Sequence, residues 1–236
     1  MHGEKPLPVI PTRRYGLCLR CLKSDAVPHL RKHWTLGWVV ACEKHRVRLH
    51  CTCQQCWAGF MLPLLKYKPR FDIDRCPRRG CEMSAQRADT AHPAALRLQA
   101  ALIAGRSVGT VDFPSVGRLE WPIAVALIDF VLSIAWTPTE HNVRRRCYQF
   151  LEREFDCEGP LKGSCHDGLT IAGWILEEWP ARLRWFCQAL KARPVEERLS
   201  SRVGLEPRVR EQLMQLICPP GNAELDGHSE IISFRE

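Results

Sequence analysis

CLRC at residues 18–21, CEKH at 42–45, CQQC at 53–56 and CPRRGC at 76–81 are four short chelating pairs. Their spacing decides how the first third of the chain folds. Cys18 and Cys21 with Cys42 and His45 make one tetrahedral zinc site of three sulfurs and one nitrogen. Cys53 and Cys56 with Cys76 and Cys81 make a second, all-thiolate site; its x4 spacing is looser. Each pair sits in a tight turn, so two ligands reach one ion at little ordering cost. The 20 residues between Cys21 and Cys42 are long enough for a hairpin that brings the first two pairs together. Cys51 competes with Cys53 as partner of Cys56, and Cys53 is preferred. The rival reading makes some of these cysteines buried free thiols that pack as small hydrophobes. Filled zinc sites leave no open coordination position, which argues for a scaffold and against catalysis.

The wider composition agrees. Of 13 cysteines in 236 residues, eight lie between Cys18 and Cys81, and Cys147, Cys157, Cys165, Cys187 and Cys218 are scattered. The opening MHGEKPLPVIPTRRYG has no apolar core of a signal peptide. The expected compartment is therefore a reducing bacterial cytoplasm, where clustered cysteines bind metal more often than they form disulfides. The most apolar run, WPIAVALIDFVLSIAW at 121–136, is shorter than the roughly 20 residues a membrane span needs and contains Asp129. It reads as a buried helix.

Charge is uneven. Residues 1–81 carry 16 Lys+Arg against 5 Asp+Glu, a balance of +11, and the rest of the chain is at −3. Thiolates bound to two zinc ions bring the first segment to about +8, still a footprint for a polyanion.

The expected fold is a small zinc-ribbon module with two zinc sites and little regular structure, followed by an all-α domain with room for helix-turn-helix elements. Residues 1–16 form an extended, basic, Pro-rich arm, 17–85 the double zinc ribbon, 86–218 the helical domain and 219–236 a tail. Within the ribbon, residues 35–41 are a strand candidate. Helices are expected over 91–105, with Gly105 as stop, and over 121–135. A third runs from a Thr137 or Thr139 cap to about Phe155. A fourth, 169–192, breaks at Trp179-Pro180, and 194–217 gives one or two more. Residues 106–120 read as a turn-rich linker.

The run Cys18-x2-Cys21-Leu22, Arg31-x2-Trp34, Cys42-x2-His45-x3-Leu49 and Cys53-x2-Cys56 resembles the zinc-binding region of TniQ-family proteins. Trp174-Ile175-Leu176 and Glu178-Trp179-Pro180 resemble its helical part more weakly. The resemblance implies a non-catalytic accessory protein of bacterial transposons. Such a protein links target DNA, or a target-recognition complex that in some elements is an RNA-guided CRISPR effector, to the AAA+ ATPase regulator and the transposase. In some systems it is a homodimer. The family usually carries a longer segment before the first CxxC than the 17 residues here, so a short variant or a truncated frame is expected.

Read without the family, Arg31, Lys32, Arg46 and Arg48 put cations on the first site's framework. Arg78 and Arg79, with Arg70 and Arg75, crowd the second. Arg144, Arg145 and Arg146 lie on the third helix. These are candidate phosphate contacts on double-stranded DNA, set against solvated charge that offsets anionic thiolate centres. Trp34, Trp38 and Leu49 read as a mini-core, because small zinc modules have little else to bury. A stand-alone zinc-dependent DNA-binding transcriptional regulator is the alternative function. No enzyme is expected: there is no GxxxxGK[ST] loop and no HExxH. Asp72 and Asp74 are a weak hint of a cation site.

Overall fold

The computed structural model describes residues 15–60, 72–135, 141–155, 165–192, 197 and 206–217. Helix α1 is Leu19–Ser24, followed by a 3-10 turn at Lys32–Thr35. Strands β1 (Ala41–Cys42) and β2 (Val47–Arg48) pair antiparallel, Ala41 with Arg48 and Cys42 with Val47. Next come α2 (Pro93–Val108), β3 (Thr110–Phe113), β4 (Gly117–Glu120) and α3 (Trp121–Ala135). The remainder is α4 (His141–Phe155), α5 (Cys165–Glu177), α6 (Ala181–Leu190) and α7 (Pro207–Ile217). A cysteine-rich segment with little regular structure thus precedes a mostly helical one.

The span between Cys21 and Cys42 differs from expectation. Its residues do not form a hairpin; the hairpin is β1–β2, which carries the Cys42–His45 turn itself. Residues 35–41 are strand only at Ala41. The span instead wraps a small core of Leu22, Trp34, Trp38, Val39 and Val40, all buried. Leu49 is buried too and packs on Gly16, where a Cβ would lie 2.6 Å from the Leu49 Cβ. The motif residues Leu22, Trp34 and Leu49 are therefore packing residues, as expected of a module with little else to bury.

Residues 106–120 are not a linker. Helix α2 continues to Val108 and is ended by Gly109 at φ 78°, which lets the chain turn straight into the β3–β4 hairpin. Gly105 does not stop the helix. It allows a close approach, since a Cβ there would meet the Thr110 carbonyl oxygen at 2.5 Å.

Helix α3 has the expected bounds, and its Leu127, Ile128, Phe130, Val131 and Leu132 are buried. No described helix is long and apolar enough to cross a membrane. The break at Trp179-Pro180 is present: α5 ends at Glu177, α6 starts at Ala181, and the Trp179-Pro180 peptide is cis. Trp179 donates its Nε1–H to the Leu216 carbonyl at 2.9 Å, which holds α7 in place. The Thr137 and Thr139 caps, the 1–14 part of the arm and the tail lie outside the described residues.

One continuous cluster of buried side chains runs from Tyr15 to Ile217, so the cysteine-rich segment and the helices share a core. Helices α2 and α5 touch closely because a Cβ at Gly173 would stand 2.4 Å from the Ala94 carbonyl oxygen. Gln99, 1% exposed on α2, completes the joint. Its Oε1 accepts from the Val40 and Ala41 amides at 2.7 and 3.0 Å, and its Nε2 donates to the Ala41 carbonyl at 3.0 Å. A side-chain amide here does the work of a neighbouring strand for β1. Gln99→Ala orphans three buried backbone groups, each costing about 1–3 kcal/mol. The expected loss is at least about 3 kcal/mol, read from the shift of a urea midpoint at unchanged slope.

Candidate metal centres

Four turns build two clusters. In the first, Cys18 caps α1 and its Sγ accepts from the Cys21 amide at 3.4 Å. Cys42 ends β1, and His45 lies in the turn to β2. The His45 Nδ1 is 3.4, 3.3 and 3.7 Å from the sulfurs of Cys18, Cys21 and Cys42, and the Cys21 and Cys42 sulfurs are 3.7 Å apart. A tetrahedral ion with metal–sulfur bonds of about 2.3 Å and a metal–nitrogen bond of about 2.0 Å requires edges of about 3.5–3.8 Å. The donor set and its dimensions fit such an ion, with Nδ1 as the ligating nitrogen. The hydrogen bond from Cys18, aided by others from the Cys21 and His45 side chains and a backbone amide, holds the Cys42 thiol down at about 4. The same bond and burial push the Cys18 thiol well up.

The second cluster brings Cys53, Cys76 and Cys81 within 4.8 Å of one another. The Cys53 and Cys81 sulfurs are 3.5 Å apart, and Cys56 stands 3.5 Å from Cys76. Three of the four expected ligands form this group; Cys56 joins it through its contact with Cys76, and Cys51 is in neither cluster. The choice of Cys53 over Cys51 has a local cause: the Cys51 carbonyl pairs with the Phe60 amide, and the chain turns back on the next residues. Burial resists ionisation of Cys53, but backbone donors at Gln55 and Cys56 hold its thiol at about 6. Gln86 supports the site, donating to the Cys53 sulfur at 3.5 Å and accepting from the Gln54 amide at 2.8 Å. No spacing rule in the sequence pointed to it.

The four turns share a closure. The amide four residues after the first ligand donates back to that ligand's carbonyl: Leu22 to Cys18 at 3.0 Å, Arg46 to Cys42 at 2.7 Å, Trp57 to Cys53 at 2.8 Å and Gly80 to Cys76 at 2.8 Å. Arg46, Trp57 and Gly80 are left-handed, with φ of 51°, 59° and 69°.

The candidate phosphate contacts fall into two groups. Arg31 is a strut: it pairs with Asp25 at 3.1 Å and lies 4.8 Å over the buried Trp34 ring. Arg48 reaches the fully buried Asp167 of α5 at 2.7 Å. Arg146 donates to the Leu190 carbonyl at 2.9 Å, at the end of α6. Lys32, Arg46, Arg78, Arg79 and Arg145 are exposed. The side chain of Arg144 and all of Arg70 are outside the described residues. Asp72 and Asp74 do not form a cation pair. Asp72 accepts from the Asp74 amide at 3.0 Å, and Asp74 accepts from the Ser84 amide at 2.7 Å and its hydroxyl at 2.8 Å. Both carboxylates brace the turn that presents Cys76.

Arg48–Asp167 belongs to a buried network that the residue pattern did not reveal. The His166 Nδ1 is 3.4 Å from Asp167, and its Nε2 accepts from the His92 amide at 3.1 Å. The His92 Nδ1 in turn accepts from the Ala94 amide at 3.1 Å and caps α2. Burial holds both imidazoles below their ordinary pKa, which suits rings that accept from backbone amides.

Residues 6–49 match the model of a protein family described as TniQ. The match encloses the four ligands of the first cluster and ends before the second. The likeness to TniQ proteins is to this N-terminal segment, which carries the first cluster. No curated protein and no solved structure gives a significant match to the chain.

Proposed function

We propose that this chain is a TniQ-family protein and a non-catalytic accessory of DNA transposition. It links target DNA, or a target-recognition complex, to the AAA+ ATPase regulator that brings the transposase. The observation that carries the reading is the coincidence of the family match at residues 6–49 with a complete four-ligand cluster. We propose Zn2+ as the ion in both clusters, because thiolate and imidazole donors at tetrahedral edges suit it. Its role is structural.

The exposed cations Lys32, Arg46, Arg78, Arg79 and Arg145 support a nucleic-acid face. Arg145 sits on α4, which with α3 is the candidate helix-turn-helix; the connecting residues 136–140 lie outside the described residues. That the chain acts as a homodimer is a separate proposal that the same reconstitution addresses; an RNA-guided target complex is another, tested by adding that complex to the mixture. The chain is mixed with the AAA+ ATPase of the same element, ATP and DNA, and the mixture is resolved by size-exclusion chromatography with light scattering. A DNA-dependent complex of chain and ATPase is the expected result, and its mass gives the protomer number. Failure to bind the ATPase, with sequence-selective DNA binding by the chain alone, would overturn the adaptor reading in favour of a stand-alone regulator.

A further inference from the structure

The two clusters differ in donor set and in exposure. The first has an imidazole and three sulfurs, all three buried. Three sulfurs close one disulfide and leave a thiol over, and an imidazole takes no part in thiol–disulfide exchange. Its Cys42 also ends β1, which Gln99 of α2 anchors through Ala41. The second cluster brings together four sulfurs, an even number. They meet in two pairs, and each pair spans the two chelating turns: Cys53 with Cys81 and Cys56 with Cys76, both at 3.5 Å. Each pair joins a deep sulfur to a reachable one. Cys53 and Cys76 are 0% and 2% exposed, whereas Cys56 and Cys81 are half-buried. Isolated bridges flank these turns, Thr52 with Gly59 and Arg75 with Glu82, so the backbone there can draw in without disturbing a helix.

We propose that the second centre is a thiol–disulfide switch whose oxidant is a low-molecular-weight disulfide, RSSR. The half-buried thiolate of Cys56 or Cys81 attacks one sulfur of RSSR; a mixed disulfide forms and one RS− leaves. The buried partner, Cys76 or Cys53, then attacks the cysteine sulfur of that mixed disulfide, which closes a cross-turn bridge and expels the second RS−. Both pairs together consume two RSSR and release four RS−, so four electrons pass from the four cysteines to the oxidant. The sulfurs of each pair move from 3.5 Å to a bond of about 2.0 Å. Thiolates, not disulfide sulfurs, ligate zinc, so the ion of this centre is lost to solvent as Zn2+. The first centre keeps its ion, because its sulfurs are buried and their number is odd. The inference rests on the zinc assignment within the proposed function and adds a redox response confined to one of the two centres.

The test treats the full, zinc-loaded chain with glutathione disulfide. Zinc release is followed with a chromogenic chelator. The products are alkylated under denaturing conditions and their cysteines mapped by peptide mass spectrometry. The expected result is loss of one of the two ions, with bridges Cys53–Cys81 and Cys56–Cys76. Cys18, Cys21 and Cys42 should be recovered as alkylated thiols. Dithiothreitol with added zinc should restore the second ion. Cys51→Ser should behave as wild type, since Cys51 is in neither cluster; a variant that no longer releases zinc would make Cys51 the reactive thiol and overturn the assignment. Retention of both ions, or loss from the first centre ahead of the second, overturns the switch while the zinc assignment stands. Bridges within a turn, Cys53–Cys56 or Cys76–Cys81, overturn the cross-turn closure. A folded chain that holds no zinc when purified overturns both the switch and the zinc assignment.

Discussion

Cys42→Ser is expected to leave a folded fraction that carries one metal ion instead of two and melts at least about 10 °C below wild type. A structural zinc site is worth about 10 kcal/mol or more of folding free energy at neutral pH. Losing one of four ligands forfeits much of it, and about 4 kcal/mol corresponds to about 10 °C for a chain of this size. Cys42 is 4% exposed and pairs with Val47 across β1–β2. Its neighbour Ala41 is bonded to Gln99 of α2. Loosening the ion therefore loosens the strand that anchors the first long helix, and the damage reaches the helical segment. Cys51→Ser is the control. Cys51 is in neither cluster, so its replacement should leave the metal count at two. Thermal melting followed by far-ultraviolet circular dichroism, with metal analysis of the soluble protein, reads both outcomes.

Asp167→Ala should cost about 3–5 kcal/mol, the usual result of removing one partner of a buried ion pair. The carboxylate is fully buried and Arg48 is 20% exposed, so the guanidinium left behind keeps only part of its hydration. His166 loses its Oδ1 partner at the same time, which frees the ring that accepts from the His92 amide at the start of α2. The double variant Arg48→Met with Asp167→Leu should recover part of the loss, since an apolar pair of similar volume leaves no unpaired charge. Urea unfolding of the two singles and the double gives the coupling between them. Additive losses would show that the pair does not join β2 to α5.

How far the sequence could be read follows from how local each interaction is. The two clusters were legible because a chelating turn closes within four residues, and the backbone bonds from Arg46 to Cys42 and Trp57 to Cys53 are such closures. Helix α3 was legible because its apolar run is unbroken. The β3–β4 hairpin was missed because Gly109, Pro114 and Gly117 look like loop punctuation. In the fold, Gly109 is the left-handed residue before β3, Gly117 is the left-handed first residue of β4, and Asp112 and Arg118 pair across the hairpin at 3.1 Å. In the sequence Gln99 is one polar position among the apolar residues of its helix. Its partners lie 58 and 59 residues earlier, a separation that no periodicity reports. Arg48 and Asp167 are 119 residues apart. The cations show the same limit: Arg31 and Arg48 resemble Lys32 and Arg46 in sequence, yet Asp25 and Asp167 claim the first two.

Native mass spectrometry of protein purified without added metal tests the central claim most directly, because it weighs ion number and ion identity together. Two zinc ions per wild-type chain, one in Cys42→Ser and one in Cys76→Ser, is the result the two-centre scaffold predicts. A soluble, folded chain with no bound metal would contradict it and remove the framework on which the transposition reading stands.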